Sequence, residues 1–109
     1  MQMPKLKTYI VAYDLLNEGG DYGPFFRTIQ AVEAFARPLE SVWIVRSRLP
    51  LSDLARALSA RLDQEDRLLV VECNSHAAWR ALMPATVQWL DNVFAGAREA
   101  DRRSNLRVA

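Results

Sequence analysis

The sequence predicts an α+β domain built on one antiparallel sheet, with a C-terminal helical extension. Three observations carry that reading. Short runs rich in β-branched and aromatic residues begin at Lys7, Ser41 and Leu68. Between them, apolar residues recur at helical spacing. Polar or Gly/Pro-rich punctuation separates the runs, and no apolar run approaches the ~20 residues a membrane helix needs.

Lys7 to Asp14, KTYIVAYD, reads as a central strand with both faces largely buried. Three glycines and a proline then mark residues 17–24 as a loop, in which Gly23-Pro24 can open a helix. Phe25, Ile29, Val32 and Ala36 form the apolar face of that helix, and Pro38 bars its continuation. Arg37 to Leu39 is short enough for an edge strand, and Ser41 to Ser47 is a clear strand. Pro50 and Ser52 introduce a second helix with Leu51, Leu54, Leu58 and Leu62 on one stripe. After the polar turn Asp63 to Arg67, Leu68 to Cys73 is another buried strand. Asn74 and Ser75 are candidate caps for a helix starting near His76. Pro84 breaks or restarts that helix, with Val87, Leu90, Phe94 and Ala97 continuing its apolar stripe. The Arg-rich end from Arg98 is expected to fray.

The order is βαββαβ, the split arrangement termed ferredoxin-like. We expect one domain over residues 1–109, with its core at about 7–73 and the helical extension at about 76–101. Two helices on one face leave the other sheet face to be covered by the extension or by a second subunit, which predicts a homodimer. Tyr9, Val11, Tyr13 and Trp43 are candidates for that face or for the core.

Composition bounds the function. Half of the 109 residues are hydrophobic and a quarter are charged, an ordinary globular balance. Met1 to Lys7 lacks the pattern of a secretory leader, and the lone Cys73 excludes an internal disulfide; both point to the cytoplasm and away from membranes. The net charge of +1 hides a bias: twelve of the fourteen basic residues are Arg. Arg suits phosphate, although GC-rich coding produces the same bias.

Asp14 is the most informative side chain. It ends an apolar strand, where a carboxylate is costly unless paired or solvated. It is either a solvated strand-end or loop-capping residue, or a ligand for Mg²⁺, a hard cation that takes few carboxylates. A two-fold axis nearby would bring a second Asp14 to the same ion. Glu72 can pair with an Arg across the sheet or join Asp14. Arg46, Ser47 and Arg48 close the middle strand and can hold a phosphate or protect an edge. Trp43, Trp79 and Trp89 can stack bases or fill a core. His76 is the only histidine and makes no zinc site alone, and Cys73 reads as a small core residue. The loop 19–24 precedes a helix and can offer amides to an anion, but it lacks the Lys-Ser/Thr of a P-loop.

Three segments together carry a resemblance: Tyr9-Ile10-Val11-Ala12-Tyr13-Asp14, Leu39-Glu40-Ser41-Val42-Trp43-Ile44-Val45, and Asp63 through Glu72. They resemble the CRISPR-associated protein two family and its VapD-type relatives, most nearly the small bacterial proteins called SinR-like. The resemblance spans roughly Lys7 to Glu72. It implies a ferredoxin-like homodimer and, in many members, a metal-dependent endonuclease acting on RNA or DNA. Members of the CRISPR branch also form a dimeric scaffold that holds DNA beside the integrase. The family's first-strand Asp, which nears its two-fold mate and a Mg²⁺, falls on Asp14. The family's Ser-Val-Phe falls on Ser41-Val42-Trp43. The Gly-rich loop and the helical reading after Cys73 depart from the CRISPR branch and point away from the integrase-scaffold role.

Two functions follow as expectations. One is a Mg²⁺-dependent endonuclease with Asp14 as metal ligand and catalytic residue and Arg46 or Arg48 on the phosphate. The other is a non-catalytic nucleic-acid-binding or scaffolding dimer, of a CRISPR-adaptation or toxin–antitoxin kind.

Overall fold

Alternation along Lys7–Asp14, strand β1, sets the architecture. Tyr9, Val11 and Tyr13 are buried on one face, while Thr8, Ile10 and Ala12 are half-buried on the other. The computed structural model describes residues 3–74, 77–94, 99–101 and 106–108. It divides into two compact units, Met1–Glu72 and Cys73–Ala109.

In the first unit, helix α1 (Gly23–Gln30) follows β1, then strands β2 (Ala34–Leu39) and β3 (Val42–Ser47), helix α2 (Leu51–Ser59) and strand β4 (Arg67–Cys73). The four-stranded antiparallel sheet has the order β2-β3-β1-β4, so β1 is central, as its apolar sequence predicts. Its register against β3 runs from Lys7↔Ser47 to Ala12↔Val42. Pro24 sits in the first turn of α1, where its missing N–H costs nothing. Phe25 and Ile29 of α1 and Leu54 and Leu58 of α2 pack with Tyr9, Val11, Tyr13, Trp43 and Val45 into one core. Both helices therefore cover the same sheet face, and the four candidate aromatic and apolar residues lie in the core beneath them. Tyr13 meets Phe25 edge-on at 5.1 Å between ring centroids, and Trp43 Nε1 donates to the Tyr13 hydroxyl at 2.9 Å.

The first helix is shorter than its apolar spacing predicts. It ends at Gln30, not at Pro38, and Ala34, Phe35 and Ala36 pair with Arg46, Val45 and Ile44. Phe35 gains the Trp43 ring at 5.7 Å by doing so. Pro38 falls in the register irregularity between Ala36 and Leu39, on an edge strand that tolerates a missing donor. The stripe of the second helix is buried at Leu54 and Leu58, whereas Leu51 is exposed. Strand β4 also departs from expectation. It is an edge strand half-buried on one side only: Leu68 and Val70 pack on the core, and Leu69 and Val71 are 59% and 41% exposed.

The second unit corrects the predicted helical extension over 76–101. Ala78–Trp79 is a strand, β5, and helix α3 covers only Pro84–Val93. Ala81 adopts φ 58°, a left-handed conformation that no helix continues through, and Pro84 then begins the helix afresh. The residues expected to fray contain strands β6 (Glu99–Asp101) and β7 (Leu106–Val108), which with β5 form a sheet of order β5-β7-β6. Ala78 pairs with Val108, a partner too distant in sequence for periodicity to reveal. Leu90 and Phe94 of the predicted stripe are buried. Ser75, His76 and Ala97 lie outside the described residues.

Candidate functional site

The site is built where the end of β1 meets the start of β4, its neighbour in the sheet. Asp14 is the last residue of β1 and Arg67 the first of β4. Asp14 Oδ2 lies 3.8 Å from Arg67 Nη1, with the side chains 62% and 75% exposed. The pair borders a cavity of about 360 Å³ whose walls include Ala12, Ser41, Val42 and Leu69. Sheet pleating explains the company: Ala12 and Asp14 point to the face opposite the helices, as do Arg67 and Leu69. A mostly solvated ion pair of this length contributes little to stability.

Just beyond the pair, the chain leaving β1 is tied to the chain entering β4. Asp66 Oδ1 accepts hydrogen bonds from the Leu16 amide and the Tyr22 hydroxyl, both at 2.8 Å. Its Oδ2 accepts the Asp63 amide at 2.8 Å. Asn17 donates its side-chain amide to Asp63 Oδ2 at 2.6 Å and its backbone amide to the Tyr22 hydroxyl at 3.1 Å. Desolvation raises the Asp66 pKa, but the hydrogen bonds from Leu16, Asp63 and Tyr22 outweigh it and hold the carboxyl below its ordinary value. Desolvation, and then the bond to Asp66, raise the Tyr22 pKa.

This network answers the anion-loop expectation. The Asn17, Gly20 and Gly23 amides donate to the Tyr22 hydroxyl, the Asn17 carbonyl and Asp21 Oδ1, so these loop donors are engaged internally. Gly19 supplies the turn, with φ 117°.

The expected phosphate residues stand elsewhere. Arg46 is opposite Thr8, six residues before Asp14 on β1, so the two positions are separated by roughly 20 Å. Its Nε is buried and without a hydrogen-bond partner among the described residues. Arg48 donates from Nη1 to the Pro4 carbonyl at 2.7 Å and lies 3.8 Å from Glu33. Neither joins Asp14 within the chain. Glu72 is 3.9 Å from Lys7, a cation across the sheet but not an Arg, and is no second carboxylate for Asp14. Trp43 and Trp79 are buried, which removes them as base-stacking platforms; Trp89 is half-buried. Cys73 is half-buried at the end of β4.

Among the described residues, no group of three or more His, Cys, Asp or Glu side chains is placed to hold a metal ion. Asp14 therefore belongs to no such group. Among the same residues, no helix is long and apolar enough to cross a membrane. Comparison with known proteins finds no matching family model, no matching curated protein and no matching solved structure.

Arg67 and Asp66 escaped the reading of the sequence. The signal for Arg67 is its place directly before an apolar strand: a split βαββαβ order sets the start of the fourth strand beside the end of the first.

Proposed function

We propose that this chain is a ferredoxin-like, nucleic-acid-processing domain that works as a homodimer in the cytoplasm, with Asp14 and Arg67 as its working pair. The strand order β2-β3-β1-β4 supports the fold reading, because it interleaves two split βαβ units. The apolar face carrying Ile10, Ala12, Ile44, Leu69 and Val71 supports the homodimer, because a sheet face of that chemistry gains from being covered.

The observation that carries the function is the exposed Asp14 carboxylate beside a cavity and within 4 Å of a guanidinium. In the favoured reading the protein is an endonuclease on RNA or DNA. Arg67 holds a phosphate oxygen through its planar fork. Asp14 would hold Mg²⁺ through a hard oxygen donor of the type that ion prefers, and a second copy's Asp14 could add another. Bound there, Mg²⁺ would supply charge neutralisation and a more acidic water. The test is a cleavage assay on RNA, single-stranded DNA and duplex DNA, with and without Mg²⁺, comparing wild type with Asp14→Ala. Mg²⁺-dependent cleavage lost in the variant supports the reading; no cleavage of any substrate by wild type overturns it.

The Asp14–Arg67 contact also favours a second reading, in which the carboxylate merely orients a guanidinium that binds nucleic acid without cutting it. Such a scaffolding or toxin–antitoxin dimer binds in a salt-sensitive way and keeps its affinity in Asp14→Ala.

A further inference from the structure

We infer that Asp66 is a positioning residue for the Asp14–Arg67 pair, acting as a clasp between the two strand ends from which that pair springs. The inference rests on reading Asp14 and Arg67 as the working pair. Asp66 directly precedes Arg67, and its acceptor Oδ1 takes the amide of Leu16, two residues after Asp14. The same oxygen takes the Tyr22 hydroxyl, and Tyr22 in turn accepts the Asn17 amide. Asp63 closes the far side: its amide donates to Asp66 Oδ2, and its carboxylate accepts from Asn17. One oxygen of the Asp66 carboxylate thus joins the segment that follows β1 to the segment that precedes β4, about fifty residues apart in sequence, while the other braces the turn at Asp63.

The clasp does not serve the core. None of Leu16, Asn17, Tyr22, Asp63 or Asp66 belongs to the buried cluster; Leu16, Asn17 and Asp63 are exposed and Tyr22 and Asp66 half-buried. Opening it therefore frees the strand ends without unfolding the sheet. Because the Asp14–Arg67 contact is long and solvated, its geometry depends on the backbone at those ends more than on its own strength.

The test uses the full-length chain and the variants Tyr22→Phe, Asp66→Ala and Asp66→Asn. The readouts are amide hydrogen exchange at Leu16 and Asn17, the side-chain ¹⁵N resonance of Arg67, and the melting temperature. Tyr22→Phe and Asp66→Ala are expected to speed exchange at both amides several-fold. They should also move the Arg67 resonance toward its position in Asp14→Ala, with a modest fall in melting temperature that leaves the sheet folded. Asp66→Asn keeps one carbonyl oxygen for Leu16 and Tyr22 and should restore much of the protection at Leu16. Unchanged exchange, or faster exchange with an unmoved Arg67 resonance, overturns the inference. A wild type that cuts nothing defeats the nuclease reading alone, since the exchange and resonance measurements still decide the clasp.

Discussion

Asp14 and Arg67 face each other across neighbouring strand ends, 3.8 Å apart and mostly in solvent. A pair so placed is worth about 0–1 kcal/mol to the fold. Asp14→Ala should therefore leave thermal unfolding nearly unchanged while removing any Mg²⁺-dependent cleavage. A cleaving Asp14→Ala protein would show that the carboxylate has no part in the chemistry.

Arg67 and Arg48 separate by the same logic. Arg67→Ala is expected to weaken nucleic-acid binding on every sequence and to reduce the salt slope by about one unit. Arg48→Ala should act mainly on stability, by about 0.5–1.5 kcal/mol, because its guanidinium donates to the Pro4 carbonyl. Filter binding at several salt concentrations, paired with denaturant melts, distinguishes the two. An Arg48 variant that flattened the salt slope while Arg67→Ala did not would return the phosphate contact to the far end of the sheet.

These assignments show what a sequence can carry. β1 and β3 were legible because aromatic and β-branched residues run unbroken between turn residues, and Asp14 was legible because a carboxylate closes one of those runs. The edge strand β2 was legible only in its second half, Arg37 to Leu39, since Ala34-Phe35-Ala36 also fits helical spacing with Ile29 and Val32, and only pairing with Arg46, Val45 and Ile44 decides between them. Strand β5 depends on a partner about thirty residues away. Asp66 is one of several polar residues in a turn, and nothing local marks it. Its role arises from Leu16 and Tyr22, which topology alone brings near.

The indole N–H of Trp43 is employed. It donates to the Tyr13 hydroxyl at 2.9 Å inside the core. Trp43→Phe keeps a ring against Phe35 but leaves that hydroxyl without its donor, and should cost about 1–2 kcal/mol. Tyr13→Phe should cost a similar amount, and the double variant less than the sum. Additive losses in calorimetry would show that the bond contributes nothing to the fold.

The apolar sheet face predicts an assembly state. Leu69 and Val71 are 59% and 41% exposed on β4, so replacing both with Asp costs a monomer little. In a dimer formed through this face the same change buries charge against apolar surface and should produce monomers by light scattering. A double variant of unchanged mass would place the dimer contact elsewhere or remove it.

Stability should fall at both ends of the pH scale, for opposite reasons of sign. The Asp66 carboxyl titrates below its ordinary value when folded, so its contribution is full above the ordinary carboxylate value of about 4 and is lost as pH drops through the folded value. Tyr9 and Tyr22 titrate above the ordinary phenol value of about 10, so their contributions are full below that value and are lost as pH climbs through the folded ones. For Tyr9 the cause is first burial and then the charge of Glu72. Tyr22→Phe tests both limbs at once. It deletes one phenol, which flattens the alkaline limb, and it deletes a donor that lowers the Asp66 pKa, which moves the acid limb to higher pH. Circular-dichroism melts across the pH range should show both shifts. An acid limb that stays in place in Tyr22→Phe would mean that Asp66 owes its acidity to the Leu16 and Asp63 amides alone.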